Sequence, residues 1–271
     1  MSLQKTNANI TIPTLLRMKQ EGEPIAMLTA YDALMASILD ESGIDIILVG
    51  DSGGMVMAGH ENTLSVTMDE MLHYVKSVRR AIQHAFLVAD MPFLSYQISL
   101  EEALRNAGRF LQEGGAQAVK IEGGQQAAPI IKALVQWGIP VMGHIGLTPQ
   151  SIHQLGGYSV QGKNHKAAQR LMQDAQILQE AGVFSLVLEK IPAMLAKEIS
   201  ESLQIPTIGI GAGKYCDGQV LVSHDMLGLY DKFRPKFVRR YAELGKAMSQ
   251  AFKQYIVDVK QKKFPNDDES Y

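Results

Sequence analysis

The chain has 271 residues, 46% hydrophobic, 20% charged and 7% aromatic, which is the balance of a folded globular protein and excludes a disordered tail. Its 26 Lys and Arg against 28 Asp and Glu give a formal charge of −2, leaving no basic excess to hold nucleic acid or an anionic membrane. One cysteine, Cys216, excludes an internal disulfide framework and a cysteine-built metal cage, and points to a reducing cytoplasm. No apolar run reaches the roughly 18 residues of a membrane span, and residues 1–7 lack a signal-peptide core, so a soluble, unexported protein is expected.

In chain order, a short helix at 14–20 is expected to close the floor of a barrel. Apolar runs that end in Gly, Asp, Glu or His follow at 25–32, 45–51, 86–92, 118–123, 139–146, 185–192, 205–213 and 219–225. Each reads as a parallel strand buried on both faces. Helical patterns lie between most of them, at 33–42, 67–85, 99–113, 127–137, 166–181 and 193–203, with a last helix at 237–259. Thr67 with Glu70 and Ser99 with Glu102 have capping-box spacing, Asp32 reads as an N-cap, and Gly114 and Gly182 read as helix stops. Eight alternations in 271 residues predict one (β/α)8 domain spanning 1–271, with an N-terminal segment at 1–24 and a charged tail or partner-facing arm at 262–271. The 214–218 connection is too short for a helix, so a doubly wound open sheet is the alternative. Met27, Met142 and Met172 read as packing. The glycines of Gly209-Ile210-Gly211-Ala212-Gly213 read as close backbone packing, because neither nucleotide-loop spacing is present.

Ionisable groups fall where a barrel builds its site, at the carboxyl ends of the strands. Asp51, Asp90, Lys120, Glu122, His144 and Glu189 all sit there. Lys120 and Glu122, two apart on a strand, face one side while Ile121 faces the other. Three carboxylates at one mouth, Asp51, Asp90 and Glu122, repel unless something positive sits among them, and oxygen-only ligands favour Mg2+ or Mn2+. A structural pair of Lys120 with Glu122 or Asp90, and a turn at Asp51, are the plainer alternatives. His144 either bonds a neighbouring backbone group or contacts substrate. Glu189, a carboxylate left over from the ligand set, is the candidate general base for a carbon acid.

At these residues the chain closely resembles ketopantoate hydroxymethyltransferases. The resemblance is carried by Met27-Leu28-Thr29-Ala30-Tyr31-Asp32, Val49-Gly50-Asp51-Ser52, Val88-Ala89-Asp90-Met91-Pro92-Phe93, Val119-Lys120-Ile121-Glu122-Gly123-Gly124, Gly143-His144-Ile145-Gly146-Leu147-Thr148-Pro149-Gln150 and Ile208-Gly209-Ile210-Gly211-Ala212-Gly213, in order along nearly the whole chain. It implies a Mg2+-dependent barrel enzyme that passes a one-carbon unit from 5,10-methylenetetrahydrofolate to 3-methyl-2-oxobutanoate through a Mg-stabilised enolate, giving 2-dehydropantoate for pantothenate synthesis. By motif it implies Asp51, Asp90 and Glu122 as metal ligands, Asp51, Ser52, Asp90, Lys120 and His144 toward the 2-oxo acid, and Glu189 as proton acceptor. It also implies a cytoplasmic homo-oligomer, a decamer in many members. Lys190 departs from the small residue expected beside the base, and strand alternation would aim it away from the mouth.

Two rivals accompany this reading. One is another metal–enolate barrel, a C–C lyase or mutase acting on a 2-oxo acid; such enzymes place a reactive Cys on a mobile loop, whereas Cys216 follows the seventh strand. The other is a barrel that binds the acid or metal without turnover.

Overall fold

The computed structural model describes residues 9–230 and 235–271, so the first eight residues of the expected N-terminal segment lie outside the described residues. The chain divides into two compact units, one ending at Val222 and the other spanning Ser223–Tyr271.

The first unit is a closed eight-stranded parallel barrel: β1 (Ile25–Thr29), β2 (Ile46–Val49), β3 (Phe86–Asp90), β4 (Ala118–Glu122), β5 (Val141–Gly146), β6 (Ser185–Glu189), β7 (Thr207–Ile210) and β8 (Gly218–Leu221). Ile25 pairs with Gly218 and Met27 with Val220, which closes the sheet and excludes the open alternative. Helices are α1 (Ile12–Glu21), α2 (Ala33–Glu41), α3 (Gly53–Val56), α4 (Met68–Arg79), α5 (Leu100–Gln112), α6 (Ala128–Gln136), α7 (Ile152–Leu155), α8 (His165–Ala181) and α9 (Ala193–Ser202). The short α3 and α7, set on the loops after β2 and β5, are additions to the sequence reading.

Strand alternation splits the core in two. Ile46, Leu48, Phe86, Val88, Ala118, Met142, Val187 and Ile208 fill the barrel with Leu15 and Met18 of α1, which therefore forms the floor. Ile47, Val49, Leu87, Ala89, Val119, Ile121, Leu186 and Leu188 face the helices. At about 25 cal/mol per Å2 of apolar surface, these two layers supply most of the drive to fold.

Caps set several helix ends. Asp32 Oδ1 accepts from Met35 N at 2.9 Å, and Thr67 and Glu70 complete a reciprocal box. Ser99 Oγ accepts from Glu102 N at 3.1 Å, the forward half of the other box. Gly182 is left-handed at the end of α8, as expected. The left-handed stop after α5 is Gly115 at φ 72°, and Gly114 instead packs where a Cβ would meet the Phe110 carbonyl at 2.6 Å. Helix α4 ends six residues short of the expected 85, because the Asp40 carboxylate accepts the amides of Gln83, His84 and Ala85 and draws them out of helical register. Met27 and Met142 are core residues, but Met172 is exposed on α8.

The β7–β8 connection carries no helix. Asp217 supplies the tie that a crossover helix would give: its Oδ2 accepts from Thr207 N at 2.7 Å, from Thr207 Oγ1 at 2.9 Å and from Lys19 Nζ of α1 at 2.8 Å. Strand β8 stops at Leu221 rather than 225, since Ser223–Met226 is the helical turn α10. Gly209 and Gly213 leave Cβ positions 3.0 Å from Cys216 Sγ and 2.4 Å from Ala193 Cβ, which is the close packing the glycine run suggested.

In the second unit, helix α11 (Leu244–Lys260) begins seven residues later than the expected 237. Tyr241 N and Leu244 N donate to the carbonyls of Met226 and Leu227, so those amides are committed before a helix can use them. The tail at 262–271 is short ordered structure: Phe264 lies 5.5 Å from the Tyr255 ring and Asn266 caps a 3-10 turn. No described helix is long and apolar enough to cross a membrane.

Candidate active site

Strand parity delivers the site. The inward positions that hold Phe86 and Val88 low in the barrel end at Asp90; Ala118 is followed by Lys120 and Glu122, Met142 by His144, and Val187 by Glu189. Asp51 comes from the turn after β2, where Gly54 N donates to its carbonyl at 3.0 Å as α3 begins. It is therefore a turn residue and a site residue together.

All six charged candidates form one connected cluster, five through their side chains and Asp51 through its backbone amide. Lys120 Nζ lies 2.7 Å from Asp90 Oδ1 and 3.0 Å from His144 Nδ1. His144 is 3.6 Å from Glu122 Oε1 through Nδ1 and 3.3 Å from Glu189 Oε2 through Nε2. Asp51 joins through its amide, which donates to Asp90 Oδ2 at 3.2 Å. Ser52 shares a hydrogen bond of 2.8 Å with the Tyr31 hydroxyl. Asp51, Asp90, Lys120, Glu122 and His144 are all buried, and the Glu189 side chain is 13% exposed.

Burial governs the electrostatics. It pushes the Asp51 carboxyl up to about 7, helped by the Asp90 charge, and carries Glu122 well above the carboxylate range against the pull of Lys120. Glu189 is likewise raised to about 7 by burial, while Lys120 and Lys190 act to lower it. Burial and the Lys120 ammonium hold His144 neutral, well below its ordinary value. Burial acts to lower Lys120, but the charges of Asp90, Glu122 and Asp51 outweigh it and the ammonium stays charged.

Gln150 and Tyr96 carry no charge and drew no role from the sequence. Gln150 Nε2 donates to Asp51 Oδ2 at 3.0 Å and to the Met91 carbonyl at 2.9 Å, and its backbone amide donates to Glu122 Oε2 at 3.0 Å. The Tyr96 hydroxyl reaches Gln150 Oε1 at 2.9 Å and the Glu122 carbonyl at 3.0 Å. Lys190 follows β6 with a left-handed backbone at φ 46°, and its Nζ donates to the Tyr158 carbonyl.

The donor set fits a hard divalent cation. All donors are carboxyl oxygens, and Glu122 Oε1 is buried with no hydrogen-bond donor. Lys120 and Gln150 hold the carboxylates at separate stations, and among the described residues no group of three His, Cys, Asp or Glu side chains stands preassembled at liganding distance. Beside the mouth, a cavity of about 380 Å3 is lined by Gly123, Gly146, Gln126, Gln154, Arg170 and Asp174, among others.

A family model described as ketopantoate hydroxymethyltransferase matches residues 9–267. A 3-methyl-2-oxobutanoate hydroxymethyltransferase from Syntrophus aciditrophicus is 58% identical over 271 residues, covering 100% of both chains. One of the same name from Trichlorobacter lovleyi is 59% identical over 262 residues, 97% of this chain and 98% of the other. Among solved structures, phosphonopyruvate hydrolase in complex with oxalate and Mg2+ superposes with a TM-score of 0.62 at 11% identity, covering 95% of this chain and 92% of that one. A 2,3-dimethylmalate lyase of the PEP mutase/isocitrate lyase superfamily does so at 0.60 and 18% identity, covering 94% and 89%. At such identities the two share this chain's fold.

Proposed function

The chain belongs to the ketopantoate hydroxymethyltransferase family, and from that premise we propose that it moves a one-carbon unit from 5,10-methylenetetrahydrofolate onto 3-methyl-2-oxobutanoate, giving 2-dehydropantoate. The observation that carries this reading is the meeting, on one barrel mouth, of three buried carboxylates with a fourth, Glu189, whose pKa near 7 suits a general base. Asp51, Asp90 and Glu122 would hold a divalent cation, and the chemistry of their oxygens suits Mg2+. When bound, that cation supplies Lewis acidity to the carboxylate and keto oxygens of the substrate.

The remaining steps belong to the protein. Lys120, kept charged by Asp90 at 2.7 Å, gives the anionic substrate its positive partner. The Ser52 hydroxyl, steadied by Tyr31, and the amide-anchored Asp51 and Asp90 line the same 2-oxo acid site, with His144 beside them. Glu189 removes the proton on C3 and its raised pKa lets it hold that proton while C3 forms its bond to the folate-borne methylene carbon; that carbon's bonds to the folate nitrogens break, tetrahydrofolate leaves, and water supplies the hydroxyl of the product. The neighbouring cavity is the room for the folate donor. On the same reading the enzyme works in the cytoplasm as a homodecamer, and exposed Met248, Phe252 and Tyr255 of α11 supply apolar surface that assembly would cover. Light scattering on the purified protein tests the size.

Proton NMR of 3-methyl-2-oxobutanoate in D2O tests the chemistry, first with Mg2+, then with EDTA, folate left out. Exchange of the C3 proton with Mg2+ alone, and 2-dehydropantoate on adding the donor, is the expected result. Failure of both exchange and product formation refutes the assignment. Cleavage of the 2-oxo acid skeleton would favour a lyase.

A further inference from the structure

We infer that Gln150 is a positioning residue that sets which oxygens of Asp51 and Glu122 face the cation. The inference rests on the cation reading above. Its side-chain amide has one workable orientation. The two atoms on its Nε2 side, Asp51 Oδ2 and the Met91 carbonyl, are pure acceptors and need the NH2 group, while Oε1 receives the Tyr96 hydroxyl at 2.9 Å and Gln97 Nε2 at 3.4 Å. Gln150 is itself buried, so water does not compete for these bonds.

One residue thus engages carboxylates from two parts of the barrel. Its side chain caps one oxygen of Asp51, after β2, and its backbone amide caps one oxygen of Glu122, at the end of β4. Glu122 Oε1 is the oxygen left on its carboxylate and is buried without a donor, while the Asp51 carboxylate takes one further side-chain hydrogen bond, from Thr63. A carboxylate capped on one oxygen presents the other in a fixed direction. Tyr96 sets the amide in turn, since its hydroxyl also reaches the Glu122 carbonyl.

Outer groups that orient ligands in this way change metal affinity about 10- to 100-fold when removed. Calorimetric titration of Mg2+, without substrate, is the readout, on wild type, Gln150→Met, Tyr96→Phe, Asp51→Asn and the Asp51→Asn, Gln150→Met double variant. Gln150→Met should weaken Mg2+ by about 10- to 100-fold, and Tyr96→Phe, which leaves Gln150 in place, by a smaller factor. In the Asp51→Asn background the Gln150→Met change should cost clearly less than in wild type, because its side chain acts through Asp51. In turnover, Gln150→Met should raise the Mg2+ concentration needed for half-maximal rate and leave most of kcat at saturating Mg2+. Wild-type Mg2+ affinity in Gln150→Met and Tyr96→Phe, or fully additive effects in the double variant, would overturn the inference and spare the cation reading. Absence of Mg2+ binding by the wild-type protein would overturn both.

Discussion

Replacing Glu189 with Gln should give a protein that is more stable and nearly inactive. Burial raises the Glu189 pKa from an ordinary 4.5 to about 7, and its side chain is only 13% exposed, so the shift reflects a real desolvation cost. At 1.36 kcal/mol per pKa unit, a shift of that size amounts to about 3 kcal/mol. The native state binds the extra proton, so the sign is set: stability is fully present below pH 4.5 and is lost as pH rises through about 7. Gln keeps the shape and has no charge to bury. Glu189→Gln should therefore match wild type near pH 4 and exceed it by about 3 kcal/mol at pH 8, roughly 6–12 °C in Tm by the scaling for chains of about 200 residues. Thermal melts of both proteins in EDTA at the two pH values supply the comparison, with C3-proton exchange as the functional partner. A gain that is equal at pH 4 and pH 8 would refute the burial argument, and wild-type exchange would remove Glu189 from the role of base.

Three further outcomes follow from the geometry. Turnover should fall about tenfold for each pH unit below the Glu189 pKa of about 7, because the base must be ionised; a profile that is level between pH 5.5 and 8, measured as kcat/KM, contradicts this. Asp90→Asn and Glu122→Gln should each weaken Mg2+ by more than the roughly 100-fold ceiling of an outer-group loss, and superimposable titration curves would count against both as ligands; Asp90→Asn should also lower Tm, because it leaves the buried Lys120 ammonium without its partner at 2.7 Å. Gly124→Ala would place a Cβ 2.1 Å from Asp174 Cγ, next to the bond from Gln125 N to Asp174 Oδ1 at 2.8 Å. It should cost about 1–3 kcal/mol, seen as a lowered Tm, and an unchanged Tm would show that α8 yields easily there.

The barrel was legible because a parallel strand covered on both faces must be a continuous apolar run, and a charge inside such a run needs a reason. Lys120 within Ala118–Glu122 is the clearest instance, since strand parity alone sends it inward with Glu122 and leaves Ile121 to the helices. Gln150 was not legible. A neutral amide after a Thr-Pro turn looks like any surface residue, and only the folded chain brings Asp51, Met91, Tyr96 and Glu122 around it. Long-range bonds hid other features for the same reason. Asp40 ends α4 from 43 residues away, and the amides that delay α11 are spent on carbonyls at 226 and 227. The left-handed backbone of Lys190, at φ 46°, was likewise not legible, since a lysine after a strand carries no signal for it.

On β3, β4, β5 and β6 the inward column runs from apolar to ionisable, and that gradient sets the electrostatics of the mouth. Leu15, Met18, Phe86 and Met142 give the barrel a dry interior, so each acid at the mouth loses solvation on the side facing the floor. Asp51, Glu122 and Glu189 are all raised and His144 is depressed, with burial the leading cause each time. Lys120 is the one cation within this cluster, and it is committed to Asp90 at 2.7 Å. A mouth so arranged can relieve its excess negative charge by taking up protons or by taking up a divalent cation. Protons satisfy one carboxylate each, whereas a single cation neutralises two and can still accept substrate oxygens in its remaining positions. Glu189 stands apart from that set, with His144 between it and Glu122 at 3.3 Å and 3.6 Å, so under the proposed function it is the raised carboxylate left to exchange a proton with the substrate.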